Sequence, residues 1–220
     1  MVPKNLTKQK GGKMSHTQTK RLEVIAGCMY CGKTEELIRR LERLRIAKRP
    51  FLLFKPTIED RYSKTEVVAH NGARMPAYLI EKGKETLEEL KRIVGAQMLD
   101  EAIAIGFDEG NFFSLELTEL CLQLRSLGKR VIIAGLDLTY DREPYGPMPY
   151  LMAHADRIDK FDAVCFKCGG VATLTQRLVD GKPAPKGERD IVGGKTAKSN
   201  ETGQKTTYEA ACQDCFQPPL

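Results

Sequence analysis

The sequence predicts an α/β protein: a parallel sheet covered by helices on both faces, followed by a small cysteine-bearing module. Three observations carry this. Short apolar runs alternate with segments of helical periodicity as far as Tyr140. Beyond that point prolines and glycines multiply and the alternation stops. Two Cys-x-x-Cys pairs fall in this later part.

The elements follow in order. Residues 22–26 form a first apolar strand, and 34–48 a helix with Leu37, Ile38, Leu41 and Leu44 on one face. Residues 51–54 are a second strand, ended by Pro56. Residues 86–94 have helical spacing, and 102–107 form a third strand. Residues 115–126 are helical again, with Gly128 as the stop, and 131–135 form a fourth strand. Continuous apolar strands separated by helices are the pattern of a sheet buried on both sides. A domain boundary is expected near Asp162. It leaves a leader at 1–20, a main domain at 21–162 and a cysteine-bearing module at 163–220. The polar stretch 195–207 is expected to be a flexible loop.

Charge and composition exclude several classes. Hydrophobic residues make up 41% and charged residues 29% of the 220, an ordinary balance for a globular protein. No apolar run reaches membrane-spanning length, and the first twenty residues lack the apolar stretch of a secretory signal, so a cytoplasmic protein without membrane partners is expected. The formal net charge is +6, yet Lys4, Lys8, Lys10, Lys13 and Lys20 stand in a leader without acidic residues. The remainder carries only +1, so composition makes no case for a nucleic-acid surface. The leader itself reads as disordered.

Gly27-Cys28-Met29-Tyr30-Cys31-Gly32-Lys33-Thr34 fits the phosphate-loop pattern G-x-x-x-x-G-K-[ST], after a strand and before a helix as that pattern requires. Glycines let the backbone curl with its N–H groups inward, and the helix offers its positive end to the same anion. Lys33 suits the β- and γ-phosphates, and the Thr34 hydroxyl suits a Mg²⁺ shell. At the end of the third strand, Asp108 suits a Mg²⁺ contact and Glu109 suits proton abstraction from an attacking hydroxyl. The same two carboxylates could instead cap the next helix. Asp60-Arg61 offers an acid and a phosphate-facing guanidinium, or a surface ion pair. His70-Asn71-Gly72 has the composition of a turn.

Cys165, Cys168, Cys212 and Cys215 can close a tetrahedral zinc site with no open position, hence a structural one. Cys28 and Cys31 lie inside the phosphate loop, where a metal would occupy the space phosphates need. A helix N-terminus beside Lys33 should lower the Cys31 thiol pKa. Cys121, among leucines on a helical face, reads as core.

Together the phosphate loop, the strand ending in Asp108-Glu109-Gly110 and the late four-cysteine site resemble the type II thymidine kinases, over roughly residues 22–215. The resemblance implies a RecA-like P-loop sheet with a zinc-binding lasso domain. It also implies transfer of the ATP γ-phosphoryl group to the 5′-hydroxyl of thymidine, with deoxyuridine a second acceptor, giving dTMP in nucleotide salvage. In those terms Glu109 is the base. ATP is held by Gly27 through Thr34, Arg61 and Asp108, and Mg²⁺ by Thr34 and Asp108. Met29, Phe112, Leu136, Tyr140, Thr175, Ile191, Val192, Gly193, Gly194 and Tyr208 would contact the nucleoside. A homotetramer with dTTP as feedback inhibitor is implied as well. Asn111 stands where the family has Gln, which shortens a polar group expected near the phosphates. A rival reading from the residues alone is a zinc-containing P-loop ATPase acting on nucleic acid, against which the near-neutral folded part counts.

Overall fold

A computed structural model describes residues 20–57, 66–69, 71–187, 198–199 and 205–219. Its centre is a six-stranded, wholly parallel sheet. Along the chain come β1 (Arg21–Gly27), α1 (Lys33–Ile46), β2 (Phe51–Pro56), β3 (Glu66–Val68), β4 (Arg74–Pro76) and β5 (Tyr78–Ile80). Then follow α2 (Leu87–Val94), α3 (Ala96–Glu101), β6 (Ala104–Phe107), α4 (Glu116–Ser126), β7 (Arg130–Gly135), α5 (Met148–His154) and β8 (Arg157–Phe161). The strands lie in the order β5-β2-β6-β7-β1-β8. The four strands legible in the sequence are the inner ones. The edge strands β5 and β8 escape the apolar pattern because one is short and the other carries Arg157, Asp159 and Lys160, charges that also blunt an exposed edge.

Alternation along β1 sends Leu22, Val24 and Ala26 to one face and Ile25 to the other. The first face packs under α2, α4 and α5 with Phe54, Phe107, Leu117, Leu120 and Cys121. The second packs under α1 through Leu37, Ile38 and Leu41. Here α1 sits so close that a β-carbon on Gly106 would lie 3.0 Å from both Leu41 Cδ1 and Leu53 Cδ1. Helix α2 starts on Thr86, whose hydroxyl accepts from the Glu89 N–H at 3.1 Å. The Asn71-Gly72 pair turns β3 into β4, with Asn71 Oδ1 accepting from the Ala73 N–H at 2.9 Å; His70 lies outside the described residues.

After Asp162 the chain forms β9 (Ala163–Val164), β10 (Val171–Ala172), β11 (Leu174–Val179), β12 (Lys182–Pro183), β13 (Lys198–Ser199) and β14 (Lys205–Ala211). β9 and β10 make a hairpin, and the others an antiparallel sheet ordered β12-β11-β14-β13. The stretch 195–207, expected as a loop, is corrected in part. Lys198 and Ser199 pair with Thr206 and Lys205, so backbone hydrogen bonds order residues that lack an apolar face to announce them. Among the described residues no helix is long and apolar enough to cross a membrane.

A buried ionic cluster ties this scaffold together. Glu23 on β1 is fully buried and accepts from Arg40 Nη1 at 2.7 Å and Arg130 Nε at 2.5 Å. Arg40, on α1, also bonds Glu36 at 2.8 Å and Asp159 of β8 at 2.6 Å. Burial pushes the Glu23 carboxyl up, but the guanidinium groups of Arg130, Arg21 and Arg40 outweigh it and hold it below its ordinary 4.5. Glu23→Ala would remove the buried carboxylate that Arg21, Arg40 and Arg130 share and leave a hole in its place. We expect urea unfolding at neutral pH to show a loss of about 3–5 kcal/mol. Because the native pKa is lowered, the stabilisation is complete above pH 4.5 and fades as pH falls through the native value. The gap between parent and variant should therefore narrow in acid.

Candidate active site and zinc module

The site forms where β1, β6 and β7 end side by side at the carboxyl edge of the sheet, the usual place for ligands of open α/β sheets. Gly27 leaves β1 at φ +141°, where a β-carbon would fall 2.3 Å from the Phe161 carbonyl oxygen. Tyr30 at φ 66° and Gly32 at φ 85° are left-handed, which curls the loop so that successive N–H groups can converge. Gly32 caps α1, and its carbonyl accepts from the Glu36 N–H at 3.0 Å. Lys33 Nζ folds back on the loop, donating to the Cys28 carbonyl at 2.6 Å. The Thr34 hydroxyl lies 3.2 Å from Asp108 Oδ1, so the loop and the end of β6 do meet.

Glu109 follows in a left-handed conformation, φ 52°, half-buried at the start of a 3₁₀ turn over Gly110–Phe112. That turn, and not α4, is what the acidic pair introduces. A hydrogen bond from Cys28, and then the Lys33 ammonium, bring the Cys31 thiol down to about 7 against the effect of burial. Cys28 is pushed the other way by Cys31 and by burial, and its Sγ lies 3.3 Å from the Ala172 carbonyl. Cys121 is fully buried in the core.

The sulfurs of Cys165, Cys168, Cys212 and Cys215 all lie within 4.8 Å of one another, and those of Cys168 and Cys212 are 3.6 Å apart. A tetrahedron with Zn–S bonds of ~2.3 Å has edges of ~3.8 Å, so the tetrad fits zinc. Backbone N–H groups of Cys212 and Cys168 point at Cys165 and lower its pKa to about 6, the thiolate form a metal needs.

Comparison with known proteins agrees with this arrangement. The thymidine kinase family profile matches residues 20–216. A thymidine kinase of Chloroflexus aurantiacus is 40% identical over 203 residues, covering 91% of this chain and 96% of its own. The chain belongs to the thymidine kinase family. It is thus a phosphotransferase of the ATP-dependent kinase class. Among solved structures, the Pif1 helicase of Candida albicans is 12% identical with a TM-score of 0.39, over 66% of this chain and 36% of that one. A likeness that faint carries no functional weight.

Of the nucleoside residues expected from the family, two touch directly. The Met29 N–H donates to the Thr175 hydroxyl at 3.0 Å across 146 residues of sequence. Phe112 is buried with its ring edge-on to Tyr145 at 5.7 Å. Half-buried Leu136 begins the loop after β7. Tyr140 packs beneath the Arg177 guanidinium at 5.1 Å and donates to the Pro185 carbonyl at 2.6 Å, and Tyr208 pairs in register with Arg177. Asp60, Arg61, Ile191, Val192, Gly193 and Gly194 lie outside the described residues.

Asn111 is buried, and its Oδ1 accepts from the Leu136 N–H at 2.9 Å, so it braces the end of β7. Gly146 closes over it, since a β-carbon there would lie 2.4 Å from the Asn111 carbonyl. Sequence reasoning misses Phe166, whose ring lies 5.1 Å from that of Tyr30, and Asp137, which is buried and paired with Lys160 at 2.8 Å. An aromatic between paired cysteines was the available signal for Phe166. Nothing in the sequence around Asp137 announces its partner.

We expect elemental analysis of chain purified without chelator to find one zinc per polypeptide. Cys168→Ser should lose it and lower the thermal midpoint, because metal binding and folding of the module are coupled. Stoichiometric absence of zinc from the parent would overturn the assignment.

Proposed function

We propose that the chain transfers the γ-phosphoryl group of ATP to the 5′-hydroxyl of thymidine, giving dTMP, with Glu109 as the base. The observation that carries this is the meeting of Thr34 and Asp108, 3.2 Å apart, with Glu109 the next residue and Met29 of the same loop bonded to Thr175. Adjacent hydroxyl and carboxylate oxygens are the donor set that Mg²⁺ prefers, and Thr34 and Asp108 would hold it. When bound, that ion neutralises charge on the β- and γ-phosphates.

The chain's own groups do the rest. Loop N–H groups from Gly27 through Thr34 and the positive end of α1 bind the phosphates. Lys33 exchanges the Cys28 carbonyl for phosphate oxygens, a swap that needs only side-chain rotation. Arg61 adds a second cation. Glu109 accepts the proton of the attacking hydroxyl as the new P–O bond forms. Met29, Phe112, Leu136, Tyr140, Thr175, Tyr208 and residues 191–194 hold the nucleoside in line. Deoxyuridine fits the same reading.

The division into a kinase domain at 21–162 and a zinc-binding lasso domain at 163–220, after a leader at 1–20, is supported by the parallel sheet ending at Phe161 and the antiparallel pieces beginning at Ala163. A cytoplasmic setting is supported by family membership and by cysteine pairs placed for a metal and not for disulfides. A homotetramer inhibited by dTTP rests on family membership.

With ATP and a panel of nucleosides, we expect thymidine to be phosphorylated well above purine nucleosides. Glu109→Gln keeps shape and hydrogen bonding but cannot take the proton. Its turnover should fall by ~10²–10⁴-fold while thymidine and ATP still bind in calorimetry. Near-normal turnover in that variant would reassign the base, with Asp60 next in line.

A further inference from the structure

Three consecutive residues of the phosphate loop are each held by a different element of the zinc module. Cys28 Sγ lies 3.3 Å from the Ala172 carbonyl on β10, and the Met29 N–H donates to Thr175 on β11 at 3.0 Å. The Tyr30 hydroxyl donates to the Tyr208 carbonyl on β14 at 3.2 Å. The first uses a buried thiol, and the second a main-chain N–H, which any residue supplies. The third depends on a side chain unique to its position.

Tyr30 has features of a coupling element. Its backbone is left-handed without being glycine, a conformation that needs support from its surroundings. Its ring supplies that support, lying 5.1 Å from that of Phe166. Phe166 sits between zinc ligands Cys165 and Cys168, and its N–H donates to the Ala210 carbonyl on β14 at 3.0 Å. Ring and hydroxyl of Tyr30 therefore both terminate on β14, one directly and one through the cysteine turn. The curl of the loop, set partly by the φ of Tyr30, decides where the N–H groups point.

We propose that Tyr30 is a positioning residue that couples the two substrate sites, its hydroxyl on the Tyr208 carbonyl transmitting the ordering of β14 by thymidine to the loop that binds the ATP phosphates. The proposal rests on the reading above of Thr175 and Tyr208 as nucleoside contacts. A ligand that fixes β14 fixes the acceptor of the Tyr30 hydroxyl, and so favours the loop shape phosphates require. By linkage, ATP must then tighten thymidine by the same factor.

The test uses the zinc-loaded full chain and calorimetric titration of a non-hydrolysable ATP analogue, without and with saturating thymidine. The ratio of the two dissociation constants is the coupling factor. In the parent it should exceed one. Tyr30→Phe removes the hydroxyl and keeps the ring on Phe166, so zinc content and thermal midpoint should hold. Its coupling factor should fall toward one, a loss of up to about tenfold, the most that one such hydrogen bond supplies. A structural role alone would shift both constants together and leave their ratio unchanged. An unchanged ratio in Tyr30→Phe, or a parent ratio of one, overturns the proposal. Thr175→Val, titrated with thymidine alone, separates the two layers. If thymidine binding weakens there while the Tyr30→Phe ratio stays at the parent value, the coupling fails and the nucleoside placement stands. If thymidine affinity is untouched, the placement fails and takes the coupling with it.

Discussion

At the end of β1 the α-carbon of Gly27 approaches the Phe161 carbonyl so closely that a β-carbon would stand 2.3 Å from the oxygen and 2.9 Å from Cys31 Sγ. Only glycine fits, and only glycine adopts the accompanying φ of +141° freely. This contact sets where β8 ends against β1, and hence where the chain leaves the parallel sheet for the zinc module. It also sets the direction in which the phosphate loop departs. The loop and the module thus diverge from neighbouring strand ends, which is why they can touch again at Ala172, Thr175 and Tyr208.

The buried ionic cluster complements that constraint on the same pair of strands, β1 and β8, nearer their amino ends. Arg40 joins α1 to both β1 and β8 through Glu23 and Asp159. Helix α1 is the helix that the phosphate loop opens, so its position relative to β8 governs the width of the space between loop and module. Apolar packing of Leu37 and Leu41 supplies most of the helix's attachment, yet apolar contacts slide more readily than a charge held by three carboxylates. The cluster contributes position more than net stability.

Within the loop, polarity is unevenly shared between two cysteines three residues apart. Cys31 stands near a pKa of 7 beside Cys28 and Lys33, whereas Cys28 is held as a thiol. The direction of the Cys31 shift is expected from a thiol at a helix N-terminus near a lysine, though the Cys28 hydrogen bond is its largest cause. Its partner's shift is not so expected, because it depends on which sulfur donates to which and on burial under the zinc module.

Local patterns in the chain determined the four inner strands, the helices α1, α2 and α4, the phosphate loop with its glycines, the acidic pair after β6 and the four zinc cysteines. Each rests on periodicity or spacing within a few residues, or on donor types whose chemistry admits few roles. Tertiary structure alone decided the edge strands, the ordered pairing of Lys198 and Ser199, the inward turn of Asn111 toward Leu136, and the grip of the zinc module on residues 28–30. Those contacts join segments up to 178 positions apart and are made largely through main-chain carbonyls and N–H groups. Every residue has such groups, so no side-chain pattern can announce which of them will meet.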